Sequence, residues 1–137
     1  MIINCDGLCE PTNPNGYACW GWVAMMGKDK AGEACGCVGH GDGMTNNVAE
    51  YSGLLAALRW ATEHRHPSLE VVSDSELMVK QMNGQYKVRA PQLVDLYQQA
   101  RALSRKLEWF RIRHVRRAHN SKADTLANRA MDQGMRR

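Results

Sequence analysis

The chain has 137 residues, of which 44% are hydrophobic and 23% charged, proportions typical of a folded globular domain and not of a disordered chain. No stretch approaches the roughly 18 consecutive apolar residues that a membrane-spanning helix requires. The first residues carry an acid at position 6 and no basic region, so we expect no secretory signal and predict a cytoplasmic protein that does not contact membranes.

The net charge of +4 is unevenly distributed along the chain. Residues 1–100 carry seven Lys and Arg against eleven Asp and Glu, whereas residues 101–137 carry eleven against three. An acidic region followed by a basic one indicates a polyanionic partner held near a group of carboxylates. A solvated helical face with a charged tail would explain the same distribution.

Five cysteines all precede residue 38, at positions 5, 9, 19, 35 and 37. None of their spacings matches a common zinc site, and no histidine follows at zinc-finger spacing. We therefore predict reduced thiols, without disulfides and without zinc.

Three strands are predicted first, joined by short connections that favour antiparallel pairing. They cover Met1–Cys5, which ends in a turn at Asp6-Gly7, then Tyr17–Met26 and Ala31–Val38. The apolar spacing then becomes helical after Thr45, and strands and helices alternate. The later elements are a strand at Leu69–Ser73, a helix at Ser75–Met82, a helix opened by Pro91, a strand at Glu108–Val115 and a helix at Ser121–Met131. The order βββαβααβα predicts one α/β domain over residues 1–137, a mixed sheet flanked by helices, with a frayed basic tail at 132–137.

Four acids occupy comparable positions at the ends of these elements. Asp6 ends the first strand and Asp74 follows the fourth, so parallel neighbouring strands would bring both to one sheet edge. Glu50 and Asp124 lie in the first turns of two helices. Each acid also has a simpler structural role available: Asp6 in a plain turn, Asp74 as a helix N-cap, and the other two in capping boxes.

Four clustered carboxylates would repel one another unless cations compensate them. Divalent ions with oxygen ligands are the natural compensators. Two such ions about 4 Å apart activate a water and stabilise the leaving oxygen of a phosphodiester. An acidic cluster beside a basic segment therefore favours metal-dependent hydrolysis of a nucleic acid.

The motifs around these acids resemble those of the type 1 ribonuclease H family, from about residue 1 to 131. The motifs are Asp6-Gly7, Thr45-Asn46-Asn47-x-x-Glu50, Asp74-Ser75 and Ala123-Asp124-x-Leu126-Ala127. The resemblance implies a ribonuclease H-like five-stranded mixed sheet, with three antiparallel strands followed by two parallel ones. It also implies endonucleolytic hydrolysis of the RNA strand of an RNA–DNA hybrid by two Mg²⁺ or Mn²⁺ ions, leaving 3′-hydroxyl and 5′-phosphate ends. The implied catalytic and metal-binding residues are Asp6, Glu50, Asp74 and Asp124.

The resemblance further implies residues that contact the hybrid: Cys9, Asn13, Asn46, Asn47, Arg117 and Asn120. In the family the TNN turn faces the minor groove, where 2′-hydroxyls are accessible, although Asn46 and Asn47 could also form turns and caps. The chain departs from the family at Leu8 and Glu10, in the loop after the first strand. It also lacks the basic protrusion that some members carry between residues 83 and 90, and the arginines after residue 100 are candidates to compensate.

Many family members use a loop histidine in catalysis, and two candidates precede Asp124. His114 shares a strand face with Ile112, which favours a core or strand-end role. His119 lies in a polar loop, from which it could reach a phosphate or accept a proton. We therefore predict His119 as the catalytic histidine.

Three other functions fit part of the pattern. They are another nuclease of the same fold (an exonuclease or a transposase-like enzyme), a non-catalytic nucleic-acid-binding module, and a domain of a reverse transcriptase polyprotein. The TNN turn disfavours the first, the Met1 start argues mildly against the third, and the complete acid set disfavours the second because carboxylates without metal repel phosphate. We expect a monomer without an obligatory protein partner.

Overall fold

The computed structural model describes residues 1–135, and its strands and helices follow the predicted order βββαβααβα. The strands are β1 (Ile2–Glu10), β2 (Tyr17–Met26), β3 (Asp29–His40), β4 (Ser68–Ser73) and β5 (Trp109–His114). The helices are α1 (Asn46–Glu63), α2 (Glu76–Met82), α3 (Pro91–Ser104) and α4 (Ser121–Met135). A 3₁₀ turn at Arg117–His119 precedes α4.

The five strands form one mixed sheet in the order β3-β2-β1-β4-β5. The pairs β1–β2 and β2–β3 are antiparallel, whereas β1–β4 and β4–β5 are parallel. Parallel neighbours need long crossover connections, and here helices precede β4 and β5 in the chain. The predicted mixed sheet is confirmed.

Strand β1 is longer than predicted, so Asp6 lies inside the strand and not at its end. Parallel pairing with β4 stops at Cys5 and Ser73. Antiparallel pairing with β2 nevertheless continues to Glu10 and Tyr17. The apolar run ends at Asp6-Gly7, which favours a turn in the sequence. Backbone pairing with β2 nevertheless extends the strand beyond this point.

The two faces of the sheet carry different layers. Trp20 contacts Gly53 of α1, whereas the next residue, Gly21, lies against α4, and neighbouring strand residues point to opposite faces. The main hydrophobic core lies between the sheet and α1, α2 and α3. A smaller cluster beneath α4 includes Cys19 and Met131.

The prediction of reduced thiols is wrong for one pair, because Cys19 and Cys37 form a disulfide. The two residues are direct partners in the antiparallel pairing of β2 with β3, a proximity that their separation in the sequence does not reveal. Cys5, Cys9 and Cys35 are free thiols.

Helix α4 extends four residues beyond its predicted end, through Met135. The first part of the predicted basic tail, 132–135, is therefore helical, and residues 136 and 137 lie outside the described residues. Across residues 1–135, no helix has the length and apolar character needed to cross a membrane.

Gly7 allows α1 to approach β1 more closely than any side chain would permit. A Cβ atom at this position would lie 2.4 Å from the backbone nitrogen of Glu50. Because Gly7 follows Asp6 and Glu50 belongs to α1, this approach sets the spacing between two of the predicted catalytic acids.

We expect Gly7→Ala to lower the free energy of unfolding by about 3 kcal/mol, because the added methyl group overlaps the α1 backbone. Urea titration followed by circular dichroism would measure the loss. Gly39→Ala is the matched control, since its Cβ would lie 3.6 Å from the Met44 sulfur, an ordinary contact. Similar effects of the two substitutions would contradict the close-approach role of Gly7.

Candidate active site

The register between β1 and β4 brings Asp6 beside Asp74. Cys5 pairs with Ser73. Asp6 and Asp74 are the residues that follow this pair in the chain. The Asp6 side chain is 5% exposed, and its Oδ1 accepts a hydrogen bond of 2.9 Å from the Gly7 amide. The prediction that parallel strands would place both acids at one edge holds, although only β4 ends there.

Hydroxyl side chains, and not the acids, cap helices α1 and α2. The Thr45 Oγ1 atom accepts from the Val48 amide at 3.1 Å, and the Ser75 hydroxyl accepts from the Met78 amide at 3.3 Å. The capping roles considered for Glu50 and Asp74 are therefore filled by their neighbours. Both carboxylates remain available for other contacts.

The four acids line a single cavity of about 240 Å³. Asp6 reaches it from β1, Glu50 from α1, Asp74 from the end of β4 and Asp124 from the first turn of α4. Two strands of the sheet and one helix from each of its faces thus meet at this cavity. The structure brings together the complete predicted set of acids.

Burial and mutual repulsion favour the protonated forms of two of these acids. Burial, the negative charge of Asp74 and contacts with the Asp124 and Asp74 carboxyls raise the pKa of Asp6 to about 9, although the Gly7 amide acts in the opposite direction. Burial and the charge of Asp74 raise the pKa of Glu50 to about 7, against a hydrogen bond with Ser75. The cluster therefore holds less than its full negative charge near neutral pH when no cation is bound.

The donor set suits a hard divalent cation. Glu50 Oε2 is buried without a hydrogen-bond partner, a costly arrangement that a bound cation would relieve. Within residues 1–135, however, no group of three His, Cys, Asp or Glu side chains is already arranged to chelate one ion. The acids share a cavity, and their carboxylates must turn toward a common point to hold a metal.

Asn120 connects two of the acids, Asp74 and Asp124, with the β1 backbone next to Asp6. Its side-chain amide donates to the Cys5 carbonyl at 2.8 Å and to Asp74 Oδ1 at 3.3 Å, and its backbone carbonyl accepts from the Asp124 amide. Its own Oδ1 accepts from the Asn4 amide at 3.0 Å. Asn120 is 1% exposed, and its side chain bonds to protein groups beside the acids without lining the cavity.

Other residues predicted to contact the hybrid lie around the cavity mouth. Cys9 and Asn46 line the cavity. Asn13 is exposed and holds Asn46 through two hydrogen bonds, from its amide to Asn46 Oδ1 at 2.9 Å and from the Asn46 backbone amide to Asn13 Oδ1 at 3.2 Å. Asn47 follows on α1, is partly exposed and does not line this cavity.

The departures from the family pattern also lie at this cavity. Leu8 and Glu10 both line it, and Glu10 adds a fifth carboxylate at the mouth. On the edge strand β5, Arg111 and Arg113 pair with Glu70 of β4, Arg113 at 2.6 Å.

Arg117, and not His119, faces the acids. The Arg117 guanidinium lies 3.8 Å from Asp124 Oδ1 and lines the cavity. His119 lines a different cavity with Asn4, Ser121 and Lys122. His114 is near Glu76 of α2. His119 therefore does not line the cavity of the acids, because the 3₁₀ turn places residues 117 and 119 beside different cavities.

The sequence patterns assign no role in the site to Gly7, Thr45, Ser75 or Asn4, although the first three stand in the quoted motifs. Thr45 and Ser75 each precede their amide donor by three residues, the usual N-cap spacing, so this signal was readable. The roles of Gly7 and Asn4 depend on contacts with distant residues, and their local sequence carries no signal for them.

Comparisons with known proteins give a consistent result. A model of the family described as reverse transcriptase-like matches residues 4–130. A bifunctional protein of Mycobacterium tuberculosis is 40% identical over 133 residues, which is 96% of this chain but only 35% of that protein. The ribonuclease HI of Halobacterium salinarum is 38% identical over 121 residues, 88% of this chain and 59% of that protein.

Solved structures show the same relationship in three dimensions. The N-terminal RNase H domain of the M. tuberculosis protein, fused to maltose-binding protein, has a TM-score of 0.90 at 37% identity, covering 98% of this chain and 95% of that one. The RNase H1 named LC11, in complex with an RNA/DNA hybrid, has a TM-score of 0.87 at 31% identity, covering 98% of each chain.

We expect Asp6→Asn to stabilise the metal-free protein at alkaline pH. The pKa of Asp6 rises from 3.8 to about 9 on folding, so between these values the native state binds more protons and the wild type loses stability as the pH rises. At pH of about 8 the variant should therefore be the more stable of the two proteins, and near pH 4 the two should converge. Urea unfolding in chelator at both pH values measures this.

Asp42→Asn removes the same charge from an exposed turn and is the matched control, expected to change little. A loss of stability for Asp6→Asn at pH 8 would instead indicate that this carboxylate stabilises the strand.

Proposed function

Because this chain belongs to the ribonuclease H family, we propose that it hydrolyses the RNA strand of RNA–DNA hybrids as an endonuclease. The observation that carries the proposal is the convergence of Asp6, Glu50, Asp74 and Asp124 on one cavity. The hybrid bound to the similar LC11 RNase H1 supports the choice of substrate.

The cofactors that we propose are two divalent ions, Mg²⁺ or Mn²⁺, held by the four acids. The unpartnered Glu50 oxygen and the raised pKa of Asp6 both indicate a site built for positive charge. Bound ions would activate a water and stabilise the leaving 3′-oxygen, giving 3′-hydroxyl and 5′-phosphate ends.

The chain's own residues supply orientation and charge. Asn120 fixes the Asp74 carboxylate relative to β1. Arg117 places a positive charge at the cavity, suited to a phosphate of the RNA strand. Asn46, held by Asn13, contacts the minor groove, and Cys9 and Asn47 complete the proposed contact surface beside it.

We also propose that the protein acts as a monomer without an obligatory partner, because all four acids come from one chain. Residues 1–137 would act as one ribonuclease H domain, in the cytoplasm.

Incubation with labelled RNA–DNA hybrid, double-stranded RNA and single-stranded RNA tests the activity. We expect internal cleavage of the hybrid RNA alone, with Mg²⁺ or Mn²⁺ and not with chelator. Asp74→Asn should reduce cleavage by about 10³-fold or more while the protein stays folded, because metal-ion catalysis contributes several kcal/mol. Asp42→Asn is the control and should retain full activity.

Each contrary outcome identifies another function. Near-normal turnover of folded Asp74→Asn would contradict the catalytic assignment of the acids. Release of single nucleotides from an end would indicate an exonuclease, and hybrid binding without cleavage would indicate a binding module.

We expect Arg117→Ala to lower kcat/KM by about tenfold or more, because it removes the charge that faces the reacting phosphate. His119→Ala should lower it by less than about threefold, since that ring lies in another cavity. Arg117→Lys should recover part of the activity. The reverse ranking would show that the 3₁₀ turn rearranges when the hybrid binds.

A further inference from the structure

A second cavity, outside the carboxylate site, lies between α4 and the β2–β3 hairpin. Its volume is about 420 Å³, compared with about 240 Å³ for the carboxylate cavity. Its floor is formed by Val23, Met25 and Leu126, of which Val23 and Leu126 are buried and Met25 is partly exposed. Four cationic side chains and one acidic side chain surround the floor: Lys28, Lys30, Lys122, Arg129 and Glu33. We call it the α4 cleft.

Strand register builds one wall of the α4 cleft. Lys30 pairs with Met25 and Glu33 pairs with Val23, on either side of an irregularity in the β2–β3 ladder. Directly paired residues of antiparallel strands point to the same face. The irregularity therefore brings both charged side chains to the sheet face on which α4 lies.

Helical periodicity builds the other wall. Lys122, Leu126 and Arg129 are spaced by four and three residues, so they form one stripe along α4. Asp124 lies about 160° from Lys122 around the helix axis, at about 100° per residue. The carboxylate cavity and the α4 cleft are therefore on opposite flanks of α4.

The charges in the cleft are not balanced. Glu33 pairs with Lys30 and lies 3.9 Å from Arg129. In residues 1–135, Lys28 and Lys122 have no acidic partner within salt-bridge distance. One carboxylate thus faces four cations, which favours a ligand that carries more than one negative charge.

The apolar floor continues into a neighbouring cavity of about 240 Å³. The two cavities share Val23, Met25 and Lys122. The amide nitrogen of Asn4 donates to Asn120 and to the His119 carbonyl, so its Oδ1 remains free to accept. This second part offers the partly exposed Met25 side chain, the Asn4 side-chain oxygen as an acceptor and the exposed His119 ring.

We propose that the α4 cleft binds a nucleoside polyphosphate, with its phosphates among the four cations and its base over the Met25 side chain and the His119 ring. The size of the cleft is that of a small-molecule site. A bare polyphosphate would leave Met25 and the exposed His119 ring without a ligand contact. A nucleotide contacts both the cations and these two side chains, and it does not compete with the hybrid.

Isothermal titration calorimetry with ATP, tripolyphosphate and adenosine, all in chelator at low salt, tests the proposal. Chelator removes divalent ions that could hold a nucleotide at the carboxylates. We expect ATP to bind with a Kd below about 1 mM, and more tightly than either tripolyphosphate or adenosine. The double variant Lys28→Gln/Lys122→Gln should bind ATP at least about tenfold more weakly while its hybrid cleavage stays unchanged.

The matched control is Lys87→Gln/Lys106→Gln, which removes two exposed lysines elsewhere and should bind ATP like the wild type. Equal losses in both double variants would overturn the proposal, because they would show attraction to overall charge only. Equal affinities for ATP and tripolyphosphate would overturn the nucleotide assignment. Tighter binding of a glutamate-rich peptide containing phenylalanine would overturn it in favour of a protein partner.

Discussion

The central constraint on this structure is the burial of like charges beside one another. Asp6 and Asp74 are neighbours because the parallel register of β1 and β4 leaves no alternative. Burial and repulsion raise the pKa of Asp6 and of Glu50. Ionising these two acids therefore destabilises the fold when no metal is bound. The surrounding structure tolerates this arrangement through a Gly7 amide bonded to Asp6 and an Asn120 amide bonded to Asp74.

Much of the surrounding structure keeps these acids available. Thr45 and Ser75 cap the helices that carry or follow Glu50 and Asp74, so the carboxylates do not serve as caps. Gly7 removes the side chain that would hold α1 away from β1. Each of these local features affects either the spacing or the availability of one of the acids.

The order of the elements and the acid set could be predicted because they depend on local patterns. Strand and helix periodicity gave the order βββαβααβα, and four spaced motifs indicated the acids. Long-range contacts could not be predicted. The extension of β1 to Glu10 depends on pairing with Tyr17, the Cys19–Cys37 bond on the β2–β3 register, and the burial of Asn120 on contact with Cys5. Likewise, the direction of His119 depends on a 3₁₀ turn that its polar sequence does not reveal.

The paired hydrogen bonds between Asn13 and Asn46 join the β1–β2 loop to the first turn of α1. A loop tied in this way loses conformational entropy during folding and not during association. The surface beside the acids is thereby preorganised, so a nucleic acid binds to a surface whose shape is already fixed. Discrimination between helical geometries of nucleic acid can then arise from rigidity as well as from individual contacts.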